Sequence, residues 1–205
     1  MFWVGIFLLI VFTVFGMVML VTYDSTPDGP VSEVSDADWT KGVKGGVVLM
    51  EYSDLQCPAC ASYYPLVKQL MVEYGMRIQF VYRHFPLERI HPNALPAAYA
   101  ADAAGKQGKF WSMHDLLFDR QKEWSPRTDA QVLFEQYATQ LGLDLVKFKQ
   151  DMQSEEVKRH VRENAASGEK AGVDSTPSFF LNGKKIPNPR SYAEFKAQVS
   201  SVLGK

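Results

Sequence analysis

The chain has two cysteines, and they sit three apart as Cys57-Pro58-Ala59-Cys60. The apolar run Val47-Val48-Leu49-Met50 precedes them and a helical pattern follows, so the dithiol falls where a strand ends and a helix begins. Thiolate is the reactive form of cysteine, and the unpaired N–H groups and dipole of a helix's first turn favour negative charge. Cys57 is therefore the expected nucleophile. Pro58 falls at the first helical position, where a missing N–H costs nothing, and Cys60 lies one turn on, within bonding reach, as the more buried resolving thiol. The chemistry implied is thiol–disulfide exchange. A purely structural disulfide would close a very short loop and restrict the unfolded chain little. A zinc site would need further ligands, but no second CxxC occurs and His84, His91, His114 and His160 lack His-x3-5-His spacing, so no metal is expected. The four histidines read as packing, capping or surface residues.

The elements that must hold the dithiol follow from periodicity. A strand over about Val47 to Tyr52, a helix, and a second apolar run from Ile78 to Phe85 form a βαβ unit, which implies parallel pairing and a right-handed crossover. The helix carries Tyr64, Val67, Leu70 or Met71, and Tyr74 at spacings of three and four, with Gly75 as its stop and Pro65 as an internal kink. From His91 to about Gly172 the pattern is helical, with Trp111, Leu117, Phe118, Val132, Phe134, Tyr137, Leu141, Val157 and Val161 as packing positions. Ser178 to Leu181 returns to strand character, and Asn182-Gly183 is a two-residue hairpin signal leading into Lys184-Lys185-Ile186. Ser191-x-x-Glu194 is a capping box that opens a closing helix with Phe195, Val199, Val202 and Leu203 on one face. The order describes an α/β core with a helical insertion.

Among its 205 residues 46% are apolar and 22% charged, with a net charge of −1, as in an ordinary globular domain. No basic stretch interleaved with aromatics is present, so nucleic acid is not an expected partner. Residues 1–22 contain no charged side chain. At about 1.5 Å per residue they span roughly 33 Å as a helix, enough to cross a bilayer. A cleaved secretory signal would have a basic start and an Ala-x-Ala-like exit, and neither is present, so an uncleaved single-pass anchor is expected. The downstream flank is acidic, with Asp24, Asp28, Glu33, Asp36 and Asp38, and without basic residues it is easy to translocate. The body is placed outside the cytoplasm, where one vicinal cysteine pair cannot mispair. Residues 23–40 read as a polar tether, 41–90 as the first part of the core, 91–172 as the insertion and 173–205 as the second part.

Glu51-Tyr52-Ser53-Asp54-Leu55-Gln56 before the dithiol, Arg83-His84-Phe85-Pro86-Leu87, Gln107-Gly108-Lys109-Phe110-Trp111 with His114, and Gly172-Val173-Asp174-Ser175-Thr176-Pro177 occur in that order. Together they resemble the DsbA-like thiol–disulfide oxidoreductases of the thioredoxin superfamily, over about Gly45 to Leu203. The resemblance implies a thioredoxin fold with an inserted helical domain. It also implies that Thr176-Pro177 is a cis-proline loop lying against the disulfide. Thr176, Pro177, Pro58 and Ala59 would then line the surface that receives an extended polypeptide. An X-Pro bond is the only cheap place for a cis peptide; the alternative is an ordinary trans turn. In similar proteins the position of Glu51 holds a buried acid beneath the dithiol, which can relay a proton to or from Cys60. Glu51 could equally lie on the exposed face of a half-buried strand.

The expected function is the donation of disulfides to newly exported proteins, through a mixed disulfide at Cys57. The resemblance implies reoxidation by a quinone-linked membrane protein of the DsbB or vitamin K epoxide reductase type, and no organic cofactor. Pro-Ala between the cysteines, in place of the Pro-His of strongly oxidising members, implies a milder oxidant. The other readings are a reductase or isomerase on the same fold, and a chaperone-like binding module whose disulfide is inert.

Overall fold

The computed structural model describes residues 33–204. The anchor expected over residues 1–22 and the first part of the tether lie outside the described residues. Among the described residues the sheet has five strands in the order β1-β3-β2-β4-β5. They are β1 (Trp39–Gly42), β2 (Val47–Ser53), β3 (Ile78–His84), β4 (Ser178–Leu181) and β5 (Lys184–Ile186). β2 and β3 run parallel, joined through α1 (Pro58–Tyr74) as the βαβ pattern requires. β4 is antiparallel to β2 and β5 to β4, across a turn in which Asn182 and Gly183 both have positive φ, at 48° and 80°. That pair of left-handed residues matches the right-handed twist of the flanking strands.

β1 pairs antiparallel with β3, Trp39 opposite Tyr82, so the sheet begins inside the stretch read as tether. Between β3 and β4 lie α2 (Ala94–Gly105), α3 (Phe110–Asp119), α4 (Gln121–Trp124), α5 (Ala130–Gln140), α6 (Leu145–Gln153) and α7 (Glu155–Lys170). α8 (Tyr192–Leu203) closes the fold. Ser191 Oγ accepts from Glu194 N–H, whereas the Glu194 carboxylate reaches back to Arg190 N–H, one residue beyond the expected box. Pro65 lies inside α1, which continues through it as one element, and Gly75 ends the helix in a right-handed conformation with φ −59°. Its N–H still donates to Met71 O at 3.0 Å, and a Cβ there would meet the same oxygen at 2.5 Å, so only glycine fits this close turn.

Side chains alternate across the sheet, so Leu49, Glu51 and Ser53 share a face with Phe80, Tyr82 and His84. That face is buried under α1, α8 and part of the insertion, in a core that includes Cys60, Leu70, Phe110, Leu117, Phe179 and Phe195. The opposite face packs Met50, Tyr52, Val81 and Phe180 against Phe85, Ala165 and Ala171. Gly168 makes this approach possible, because a Cβ there would meet the Phe85 ring at 2.7 Å.

Candidate active site

The site lies where β2 gives way to α1. Cys57 is the N-cap of α1, in an extended conformation with φ −68° and ψ 123°, and Pro58 occupies the first helical position. Its Sγ lies 3.5 Å from the carbonyl oxygen of Thr176. The Thr176–Pro177 peptide is cis, so the turn before β4 has the expected conformation rather than the trans alternative. Pro58 and Ala59 are exposed beside Cys57, while Thr176 and Pro177 are buried behind it. Both cysteines are free thiols; Cys57 is 7% exposed and Cys60 fully buried.

The two sulfurs differ sharply in acidity. A hydrogen bond from the Cys60 thiol is the largest influence on Cys57; burial opposes it, and Thr176 and the Cys60 and Ala59 amides add to it, so that Cys57 comes down to about 5. Burial first, then the hydrogen bond to Cys57 and the charge of Glu51, push Cys60 well above the usual thiol range. At neutral pH the pair is a thiolate beside a protonated thiol, as nucleophile and resolver require.

Glu51 is 3% exposed, which sets aside the alternative of a solvent-facing strand residue. β2 is flanked by β3 and β4 and covered on both faces, so no position from Leu49 to Ser53 reaches water. Burial raises the Glu51 carboxyl to about 7, with the Cys57 charge adding to the effect.

A polar network that the sequence did not single out holds the 54–57 loop. Asp54 Oδ1 accepts from Gln56 N–H at 2.7 Å, and Oδ2 accepts from Leu87 N–H at 2.9 Å and contacts His91 Nδ1 at 2.7 Å. Gln121 Nε2 donates to the carbonyls of Leu55 at 2.8 Å and Cys57 at 3.0 Å. Gln56 donates to Ser125 O and accepts from Asn93 N–H. Gln121 carries no sequence signal, since nothing local ties it to a loop 64 residues away. The other histidines face carboxylates rather than serving packing, capping or the surface alone: His84 and His160 meet Asp102, and His114 meets Asp115. None hydrogen-bonds either sulfur. A groove of about 620 Å³ opens at the same end of the sheet, between Phe85, Leu87 and Ile90 on one side and Ala165, Val173 and Asp174 on the other.

The Thioredoxin family model matches residues 43–201. Among solved structures, the chain is similar to a thioredoxin-like oxidoreductase from Silicibacter pomeroyi DSS-3, at 25% identity and a TM-score of 0.70, covering 83% of this chain and 95% of that one. It also resembles oxidised BdbD from Bacillus subtilis, at 20% identity and a TM-score of 0.73, covering 87% and 100%, a likeness of fold. Among curated proteins it is 36% identical over 169 residues to Na(+)/H(+) antiporter NhaA 3 of Salinispora tropica, covering 82% of this chain and 25% of that protein. The chain thus spans about a quarter of the length of the curated relatives it matches. Among the described residues no helix is long and apolar enough to cross a membrane.

Proposed function

This chain belongs to the thioredoxin family, and we propose that it is a DsbA-like thiol–disulfide oxidoreductase that donates its Cys57–Cys60 disulfide to exported polypeptides. The acidity split between Cys57 and Cys60 carries the reading. A substrate thiolate attacks Cys57 Sγ, the Cys57–Cys60 bond breaks, and Cys60 leaves as a thiolate that takes a proton from Glu51. The substrate's second thiolate then attacks its own sulfur in the mixed disulfide and expels the Cys57 thiolate, so two electrons pass from substrate to enzyme. Thr176, Pro177, Pro58 and Ala59 receive the polypeptide beside Cys57. The reduced dithiol is returned to the disulfide by a quinone-linked membrane protein of the DsbB or vitamin K epoxide reductase type. Residues 1–22 anchor the chain, with the catalytic body outside the cytoplasm.

Equilibration of the full chain with graded glutathione buffers, together with oxidation of a dithiol peptide, tests this. The disulfide is expected to be largely reduced at a glutathione poise that leaves a reductase oxidised, and Cys57→Ala to abolish transfer. A disulfide that stays oxidised there would assign a reductase. No oxidation of the dithiol peptide by the parent chain, with peptide binding unchanged in Cys57→Ala, would assign a binding module.

A further inference from the structure

Glu51 faces a second polar group that the exchange mechanism leaves unused. Tyr82 is its direct neighbour on β3, in parallel register and on the same buried face of the sheet. Tyr82 is fully buried, and among the described residues its hydroxyl has no hydrogen-bond partner. The Ser53 hydroxyl, two residues beyond Glu51 on the same face, likewise makes no well-formed hydrogen bond, yet it lies near enough to Glu51, Cys60 and Tyr82 to favour the ionised form of each. A buried hydroxyl left unpaired forfeits its hydration with nothing in return. Two beside one ionisable acid call for an account.

The ring of Tyr82 is well held. It packs against His84, Phe110, Trp111 and His114, with the His114 ring 4.7 Å away and edge-on. The hydroxyl oxygen therefore keeps its place while its proton can take either orientation in the ring plane. The groups facing this point are Glu51 and Ser53 from β2, Cys60 from α1 and Asp54 from the following loop, with the imidazoles of His84 on β3 and His114 on α3 edge-on against the phenol ring. After burial, the charges of Glu51 and Cys60 are the main influences that keep the phenol protonated, so it can only donate to an anion beside it.

We propose, resting on the oxidoreductase reading, that Tyr82 is a positioning residue that accommodates the ionised form of Glu51 after its proton has passed to Cys60. In the oxidised enzyme, with Glu51 protonated, the phenol waits unpaired. When Cys60 leaves the disulfide and takes the Glu51 proton, a carboxylate stands in an apolar core, and Tyr82 donates its hydroxyl hydrogen to it. Ser53 offers a second donor from the same strand. No atom is exchanged by Tyr82; its O–H bond stays intact throughout. The device stabilises the carboxylate with a neutral donor, which leaves the acid's affinity for a proton close to neutrality.

Full-length Tyr82→Phe retains the ring and loses only the hydroxyl. The readouts are the carboxyl infrared band that disappears in Glu51→Gln, followed against pH, and the pH midpoint of dithiol-peptide oxidation. The midpoint is expected to rise by about one pH unit in Tyr82→Phe, a tenfold gain in proton affinity. The Cys57 thiolate absorbance titration should stay in place. Adding Tyr82→Phe to Glu51→Gln is expected to change nothing further in the pH profile. An unmoved carboxyl midpoint in a folded Tyr82→Phe would overturn the proposal, as would an equal shift in the Glu51→Gln background. If the parent chain oxidises no dithiol peptide, the oxidoreductase reading fails while the infrared titration still decides the role of Tyr82.

Discussion

At the scale of single residues, the proposed exchange turns on two protons. Cys57 must be without one and Cys60 must be given one, and Glu51, raised to about 7 by burial, is half-loaded at neutral pH. The donor form is full below pH 7, so Cys60 departure should slow as pH rises through 7. Glu51→Gln is expected to lose that inflection and to oxidise dithiol peptides roughly a hundredfold more slowly, the low end for a positioned acid. The same shift predicts stability. A carboxyl whose folded affinity for protons exceeds its unfolded one supports the fold below about pH 4.5 and loses that contribution as pH rises through 7. Denaturant unfolding should therefore find Glu51→Gln more stable than the parent at pH 8, by roughly 3 kcal/mol, and little changed at pH 4. The exposed Ala59 offers the complementary change. An imidazole there adds a donor for the Cys57 anion, and stabilising the reduced thiolate makes the disulfide a stronger oxidant. Ala59→His should raise the glutathione-derived potential by roughly 20–40 mV, about 30 mV for each 1.4 kcal/mol, and lower the Cys57 absorbance midpoint.

At the scale of elements, the start of α1 is fixed by side chains distant in sequence. Gln121 caps the carbonyls of Leu55 and Cys57 from the insertion, and Asp54 pins the exit of β3 through Leu87 N–H. Gln121→Ala leaves the Leu55 carbonyl unpaired and takes one of two donors from the Cys57 carbonyl, which keeps Ala61 N–H, and the expected cost is about 1–3 kcal/mol with a rise in the Cys57 midpoint as the loop loosens. Unfolding curves and thiolate absorbance measure both. The contrast with what could be read in advance is physical. The βαβ unit, the Asn182-Gly183 turn and the Ser191 cap are local signals, each written in a few adjacent residues. β1 was not legible, because Trp39-Thr40-Lys41-Gly42 is a short edge strand whose partner, Ile78–His84, lies some forty residues on. Gln121, Gln56 and Asp54 were not legible as site residues either, since one polar side chain acquires its meaning only from the carbonyls that tertiary folding brings to it. Cys57, Cys60 and the Thr176-Pro177 turn were legible because their chemistry restricts residue type at each position.

At the scale of the molecule, the insertion is joined to the sheet by a buried ionic knot. Asp102, 2% exposed on α2, meets His84 Nε2 of β3 at 3.0 Å, His160 Nδ1 of α7 at 2.6 Å and the Trp39 indole N–H of β1 at 2.6 Å. One carboxylate thus ties two strands to two helices. Burial opposes its ionisation, but His84 and His160 outweigh it and bring Asp102 down to about 2. Burial likewise opposes protonation of His160, and the bond to Asp102 outweighs it and raises that imidazole. The signs place the optimum. A depressed carboxylate stabilises the fold above its unfolded value near 3.8 and loses this as pH falls toward 2. A raised imidazole stabilises below its unfolded value near 6.5 and loses this as pH rises through its folded value. The knot is therefore strongest between about pH 4 and 6.5. Asp102→Ala strands two imidazoles and an indole N–H inside the protein, and should cost on the order of 3–5 kcal/mol near pH 5.5. Asp102→Asn keeps the volume and one acceptor and should cost less. The decisive measurement is the difference between parent and Asn variant in unfolding free energy at pH 3, 5.5 and 8. That difference should peak at pH 5.5, and a difference flat across the three would mean that the carboxylate holds the insertion as a neutral acceptor rather than as a charge.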